Sequence, residues 1–124
     1  MQLKKWQADK KSPEDVLKLL DLTVDTRLFE SPLGNIWLDY LYLLKEKNNA
    51  EVLRILQTKF GDALVAKMLY DSSSVHERAK KLQEAQYKSW HTHTAYIPLD
   101  MDSDLLLEIT ASYFNWIKAQ MLKV

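Results

Sequence analysis

The sequence predicts an all-α protein, a helical bundle of about five to six helices. Only two Gly and three Pro interrupt the 124 residues, whereas a many-stranded protein needs frequent turns. Between these breaks, apolar residues recur at the three- and four-residue spacing of a helix face. The apolar fraction of 47% is sufficient for one hydrophobic core, so the chain is expected to form a single domain.

Two of the expected helices begin with the same signal, a serine followed by a proline, at residues 12–13 and 31–32. Serine is a preferred N-cap, and proline suits the first helical turn. In the polar connection between these helices, Leu28 and Phe29 are the expected anchors. The helix after Ser31 is apolar on nearly every side, so it is predicted to be the most buried.

The remaining helices have less uniform boundaries. Asn48 and Asn49 are suited to end the second helix, and the next one is expected from about Ala50. Gly61 is a good C-terminal stop and Asp62 a good N-cap. The spacing from Ser74 to Glu77 fits a capping box, and Asp102 or Ser103 can cap the last helix. The predicted core residues are Trp37, Tyr40, Leu41, Leu56, Phe60, Leu64 and Leu82.

The charge balance and composition exclude several classes of protein. Seventeen Lys and Arg balance seventeen Asp and Glu, so nucleic acid is not an expected partner, because its binding usually needs a basic excess. No apolar run is long enough to span a bilayer, and no signal peptide pattern opens the chain. The absence of Cys excludes a disulfide scaffold and thiol catalysis.

No catalytic, metal or cofactor site is predicted. His91 and His93 could face one metal ion together with Asp100 or Asp102, as in a metal-dependent hydrolase. The alternative, two solvated loop histidines, is favoured because the third histidine, His76, is distant in sequence. No glycine-rich phosphate loop or nucleophile elbow is present.

The candidate partner-binding residues are Tyr96, Leu99 and Trp116. The segment Tyr96–Leu99 has an aromatic and an aliphatic residue three positions apart, followed by acidic residues. This pattern resembles the short motif that binds the ubiquitin-like modifier of autophagy, and such a segment can add to a partner's sheet edge. The favoured alternative is a linker that Tyr96 and Leu99 pin to the bundle.

Several aromatic residues are expected to contact something outside the chain. Leu3–Gln7 and Tyr87–His91 are similar basic segments that carry Trp6 and Trp90, 84 residues apart, which fits a tandem array. A neighbouring repeat would cover the aromatics near the end of the chain, or they would form an exposed patch or join a second copy. These aromatics are Trp90, Tyr113, Phe114 and Trp116.

Four blocks resemble a known family in the order that the family has them. Ser12–Leu20 resembles the segment that opens each LWY-type unit of oomycete RXLR effectors, and Phe29–Tyr40 resembles the W motif. Lys59–Leu69 resembles the Y motif, and Ala79–Gln86 with Trp90 resembles the L motif. The secretion signal and the RXLR motif do not appear in this sequence.

The resemblance implies one α-helical WY/LWY-type unit over residues 1–124. Its core would be residues 12–90, and residues 91–124 would be a divergent linker with an extra C-terminal helix. Trp37 would pack against the Y-motif aromatic, which is Phe60 here in place of the usual Tyr, so any hydrogen bond from that hydroxyl is lost.

The same resemblance implies a secreted virulence effector that enters the host cell, binds a host protein and modulates immunity without catalysis of its own. The alternative is a structural spacer or oligomerisation repeat of a larger tandem-repeat effector. Its partner would be a neighbouring repeat or a second copy in a homodimer, and some tandem units of the family recruit the scaffold subunit of host protein phosphatase 2A.

Overall fold

The computed structural model describes residues 2–20, 28–92 and 96–123, and these contain seven helices and no strand. The all-α prediction is confirmed. One helix more than expected is present, because the segment around Trp6 forms a short helix of its own. The helices are α1 (Gln2–Ala8), α2 (Pro13–Leu19), α3 (Pro32–Leu44), α4 (Asn49–Phe60), α5 (Asp62–Ser72), α6 (Glu77–His91) and α7 (Ser103–Leu122).

The two serine–proline starts are confirmed. The Ser12 hydroxyl accepts from the Asp15 amide at 3.1 Å, and the Asp15 carboxylate accepts from the Ser12 amide at 3.0 Å, which completes a capping box. The hydrogen bonds from Ser12 hold the pKa of Asp15 below its ordinary value. At the start of α3, the Ser31 hydroxyl accepts from the Gly34 amide at 3.3 Å.

Gly61 is confirmed as the C-terminal stop of α4. Three other predicted caps, those of Asn48, Asp62 and Ser74, are wrong in detail. Asn48 does not close α3; its side chain accepts from the Glu51 amide at 3.2 Å and so caps the start of α4. Asp62 already lies in the first turn of α5, because Gly61 with φ of 87° takes the cap position. Ser74 does not cap α6, because the Val75 and His76 amides still donate to the Ser72 carbonyl, and the helix begins only after His76.

The main hydrophobic core surrounds α3. The Trp37 indole donates to the Pro13 carbonyl at 2.9 Å, and the Tyr40 hydroxyl donates to the Lys11 carbonyl at 2.6 Å. Trp6 of α1 meets Tyr40 edge-on, with ring centroids 5.6 Å apart. The buried aromatics of α3 therefore keep their polar atoms satisfied while they hold α1 and α2 in place.

The predicted core residues do not share one level of burial. Five of them are fully buried, whereas Phe60 and Leu64 are only partly buried and pack against the edge of the core. The reason is their position on either side of Gly61, where α4 ends and α5 begins. The buried five are Trp37, Tyr40, Leu41, Leu56 and Leu82. Leu28 and Phe29 are also buried, which confirms them as anchors.

A second, smaller cluster joins α7 to α5 and α6. Tyr87 lies 5.5 Å from both Trp90 and Tyr113, and its hydroxyl bonds to the Ser112 hydroxyl at 2.8 Å. Trp90 and Tyr113 are buried by this contact, as Trp6 is in the main core. The expectation that Trp90 and Tyr113 are covered by a neighbouring repeat, join a second copy or form an exposed patch is therefore wrong, because this chain covers them itself.

Candidate protein-binding surface

Residues 96–102 lie between α6 and α7 and form neither helix nor strand. Pro98 fixes its own φ and disfavours the helical region for Ile97, so the local sequence prevents a helix here. No backbone hydrogen bond joins residues 96–101 to another described residue. The described packing of the segment against the helices is made by its side chains.

The apolar side chains of the 96–102 segment point in two directions. Ile97 and Met101 are partly buried and pack against the second cluster. Tyr96 and Leu99 are 79% and 77% exposed. The expectation that Tyr96 and Leu99 pin the segment is therefore wrong, since Ile97 and Met101 do so.

A groove of about 620 Å³ lies between the 96–102 segment and the start of α5. We call it the α5 groove. Phe60 and Leu64 line it from the helix side, and Leu99 and Met101 line it from the segment side. The complete lining is Phe60, Gly61, Asp62, Ala63, Leu64, Lys67, Pro98, Leu99, Asp100, Met101, Asp102 and Leu105.

The rim of the α5 groove is acidic. Asp62, Asp100 and Asp102 are exposed along it, and Lys67 is the one cation in the lining. None of the ion pairs of the described residues includes these three carboxylates. This local excess of negative charge contrasts with the zero net charge of the whole sequence.

The third candidate residue, Trp116, belongs to a different part of the surface. It is half-buried, and its ring centroid lies 6.0 Å from those of Tyr87 and His91 and 6.3 Å from that of Tyr113. Trp116 does not line the α5 groove. The structure therefore places Tyr96 and Leu99 on one segment and uses Trp116 to attach α7.

Sequence patterns missed the helix side of the groove. The sequence predicts Asp62 as a cap and Leu64 as a core residue, and neither prediction assigns them to a binding surface. The signal that was present is the spacing of Asp100 and Asp102 directly after Leu99. That Leu64 and Leu99 line the same groove is visible only in the folded structure, because the two residues are 35 positions apart in the sequence.

The described residues offer little support for a metal centre or a membrane span. Within them no three His, Asp or Glu side chains are placed to hold a metal ion. His91 is exposed beside Trp116, and His93 lies outside the described residues. In the same part of the chain, no helix combines the length and the apolar character that crossing a membrane requires.

Comparison with known proteins identifies the family to which this chain belongs. No protein-family model matches the chain, and no solved structure does. Over 93 residues the chain is 33% identical to RxLR effector protein PSR2 of Phytophthora sojae and to the protein of the same name from strain P6497. The chain belongs to the oomycete RxLR effectors. The expectation that the chain is an oomycete RXLR effector is thereby confirmed.

The match is uneven in its coverage. It includes 68% of this RxLR effector chain but only 14% of the length of each curated relative. The chain therefore corresponds to a small part of PSR2. The assignment of residues 1–124 to one WY/LWY-type unit, with a core at residues 12–90, stays a prediction.

Proposed function

We propose that this RxLR effector chain is secreted, enters the host cell, and modulates immunity by binding a host protein through its 96–102 segment. The proposal includes no catalytic step. The observation that carries it is the exposure of Tyr96 and Leu99, at 79% and 77%, on a segment that two other residues fasten to the bundle. Family membership supports an effector role.

The energetics favour a partner at this position. A tyrosine buries about 150–250 Å² when it is covered, and apolar area removed from water contributes about 25 cal/mol per Å². Because Ile97 and Met101 fasten the segment, Tyr96 and Leu99 lose less backbone freedom on binding than they would on an unattached segment. Such preorganised aromatic anchors are typical centres of binding energy in interfaces.

The experiment compares the full chain with Tyr96→Ala/Leu99→Ala in affinity capture from host-cell extract, with quantitative mass spectrometry of the captured proteins. We expect at least one host protein to bind the original chain and to be lost from the double variant. Val75→Ala is the control, because Val75 is 71% exposed outside the 96–102 segment. Equal capture by the double variant would remove this segment from the binding surface.

Point variants are preferable to removal of the tail. A chain shortened after Trp90 would lose Ile109 and Tyr113, which cover Tyr87 and Trp90. Its exposed aromatics would cause aggregation or non-specific capture. Partner loss in such a truncation could not be assigned to the 96–102 segment.

One observation supports a second candidate function, a spacer or oligomerisation repeat of a larger effector. The outer face of α7 carries an apolar stripe with Leu107 at 70%, Phe114 at 55% and Met121 at 69% exposure. A neighbouring repeat or a second copy could cover this stripe, and such an assembly could recruit the scaffold subunit of host protein phosphatase 2A. Light scattering across concentration tests self-association, and titration with the purified scaffold subunit tests recruitment.

A further inference from the structure

We propose that the α5 groove receives a short basic segment of the partner, in which one apolar side chain is flanked by Lys or Arg. This inference rests on the proposed function and names the chemistry of the partner at the same surface. It concerns the groove between α5 and the 96–102 segment. The proposed function depends on Tyr96 and Leu99, of which Leu99 also lines this groove.

The interior of the groove is suited to an apolar side chain. Phe60, Leu64 and Leu105 are partly buried in its lining, so each presents part of its apolar surface to the space between them. Leu99 closes the groove from the segment side. The volume of about 620 Å³ lies within the range of ordinary binding sites. An aliphatic or aromatic side chain would gain contacts on several sides there.

The rim determines the charge of the occupant. Asp62 comes from the start of α5, whereas Asp100 and Asp102 come from the segment, so both sides of the groove contribute negative charge. Against these three carboxylates the lining offers only Lys67. An acidic peptide would meet like charge on both sides, whereas cations on either side of an apolar residue would meet opposite charge. Charge complementarity therefore selects a basic and apolar segment.

The test uses a phage-displayed library of random twelve-residue peptides, panned on the full chain. We expect enrichment of peptides in which Leu, Ile or Phe has Lys or Arg as near neighbours. A synthetic, fluorescein-labelled copy of the most enriched peptide is then titrated with the chain and followed by fluorescence anisotropy. Enrichment of acidic or neutral peptides, or no enrichment, would overturn the inference.

Variants locate the peptide. Asp62→Asn/Asp100→Asn/Asp102→Asn should weaken its affinity by about tenfold, and added salt should weaken binding to the original chain. The matched control is Asp9→Asn/Asp71→Asn/Glu84→Gln, which removes the same charge from exposed positions outside the groove. Equal affinity of the two triple variants would overturn the inference, because the peptide would then bind elsewhere.

The failure of this inference can be separated from the failure of the proposed function. Host proteins captured by the original chain are tested against both the Tyr96→Ala/Leu99→Ala variant and the groove triple variant. If a host protein is lost from the Tyr96→Ala/Leu99→Ala variant but retained by the groove triple variant, the basic-segment inference is overturned and the proposed function stands. If both variants retain the host protein, the inference and the proposed function are both overturned. If both variants lose it, the inference and the proposed function are both supported.

Discussion

The ring of Trp37 meets the ring of Phe60 edge-on, with centroids 5.9 Å apart and planes inclined at 68°. This contact joins the middle of α3 to the last residue of α4. On the other side, the Trp37 indole donates to the Pro13 carbonyl at 2.9 Å. The Trp37 side chain therefore links α3 to both α2 and α4. The ring contact is present although Phe60 lacks the hydroxyl of the Tyr that the family usually has at this position.

Trp37→Ala should lower the free energy of unfolding by about 3–5 kcal/mol, the usual cost of removing a large core aromatic. Because Trp37 is only 1% exposed, the substitution leaves a cavity beside Phe60 and removes the hydrogen bond to the Pro13 carbonyl. Urea unfolding followed by circular dichroism measures the change. Near-original stability would contradict the central position of this residue.

Trp37→Phe is the matched control for that experiment. It keeps an aromatic ring against Phe60 but cannot donate to the Pro13 carbonyl. We expect it to cost less than the alanine variant, about 1–3 kcal/mol for the lost hydrogen bond and the smaller ring. Equal losses in the two variants would mean that the hydrogen bond, not the packing, dominates.

Local chemistry explains which parts of the fold were predictable from sequence. The starts at Ser12 and Ser31 depend on a serine, a proline and amides within three residues, all adjacent in the chain. The start of α6 depends instead on how far the turn at Ser72 continues, which no side-chain pattern between Ser72 and Glu77 reveals. Helix existence was therefore easier to predict than the caps.

The candidate surface was less predictable for a related reason. Residues 96–102 have no helical period, so nothing in the sequence distinguishes inward Ile97 and Met101 from outward Tyr96 and Leu99. The burial of Trp90 was equally hidden, because Tyr113 covers it only after α7 folds back onto α6. Both outcomes depend on tertiary packing between distant segments.

Gly34→Ala should destabilise the protein, although alanine is the better helix former by about 1 kcal/mol. A Cβ at position 34 would lie 2.2 Å from the Leu28 carbonyl oxygen, so backbone must move. We expect a net loss of about 1–3 kcal/mol, as for other overpacked sites. Urea unfolding tests this prediction, and we expect a lower midpoint concentration for Gly34→Ala. A higher midpoint would show that Leu28 does not cover Gly34.

Gln86→Met should stabilise the protein. Gln86 is 1% exposed, and neither polar atom of its side chain has a hydrogen-bond partner in the described part of the chain. Methionine has a similar shape and removes the cost of an unsatisfied amide, about 1–3 kcal/mol. Thermal unfolding measures the effect, with Gln83→Met as the control on the same helix. A lower melting temperature for Gln86→Met alone would indicate that a bound water satisfies the amide.

The stability of the protein should fall as pH rises from about 10 to about 12, in part because of Tyr42. Burial raises the pKa of Tyr42 to about 12, and the Arg78 cation only partly offsets this rise. Above the ordinary tyrosine pKa of 10.0 the unfolded chain loses this proton while the folded chain keeps it. The free energy of unfolding therefore decreases with pH across this window.

Urea unfolding at several pH values measures the slope of this decrease, and Tyr42→Phe should make the slope shallower. An unchanged slope in Tyr42→Phe would assign the alkaline loss to other groups, such as the buried Tyr87, whose pKa burial also raises.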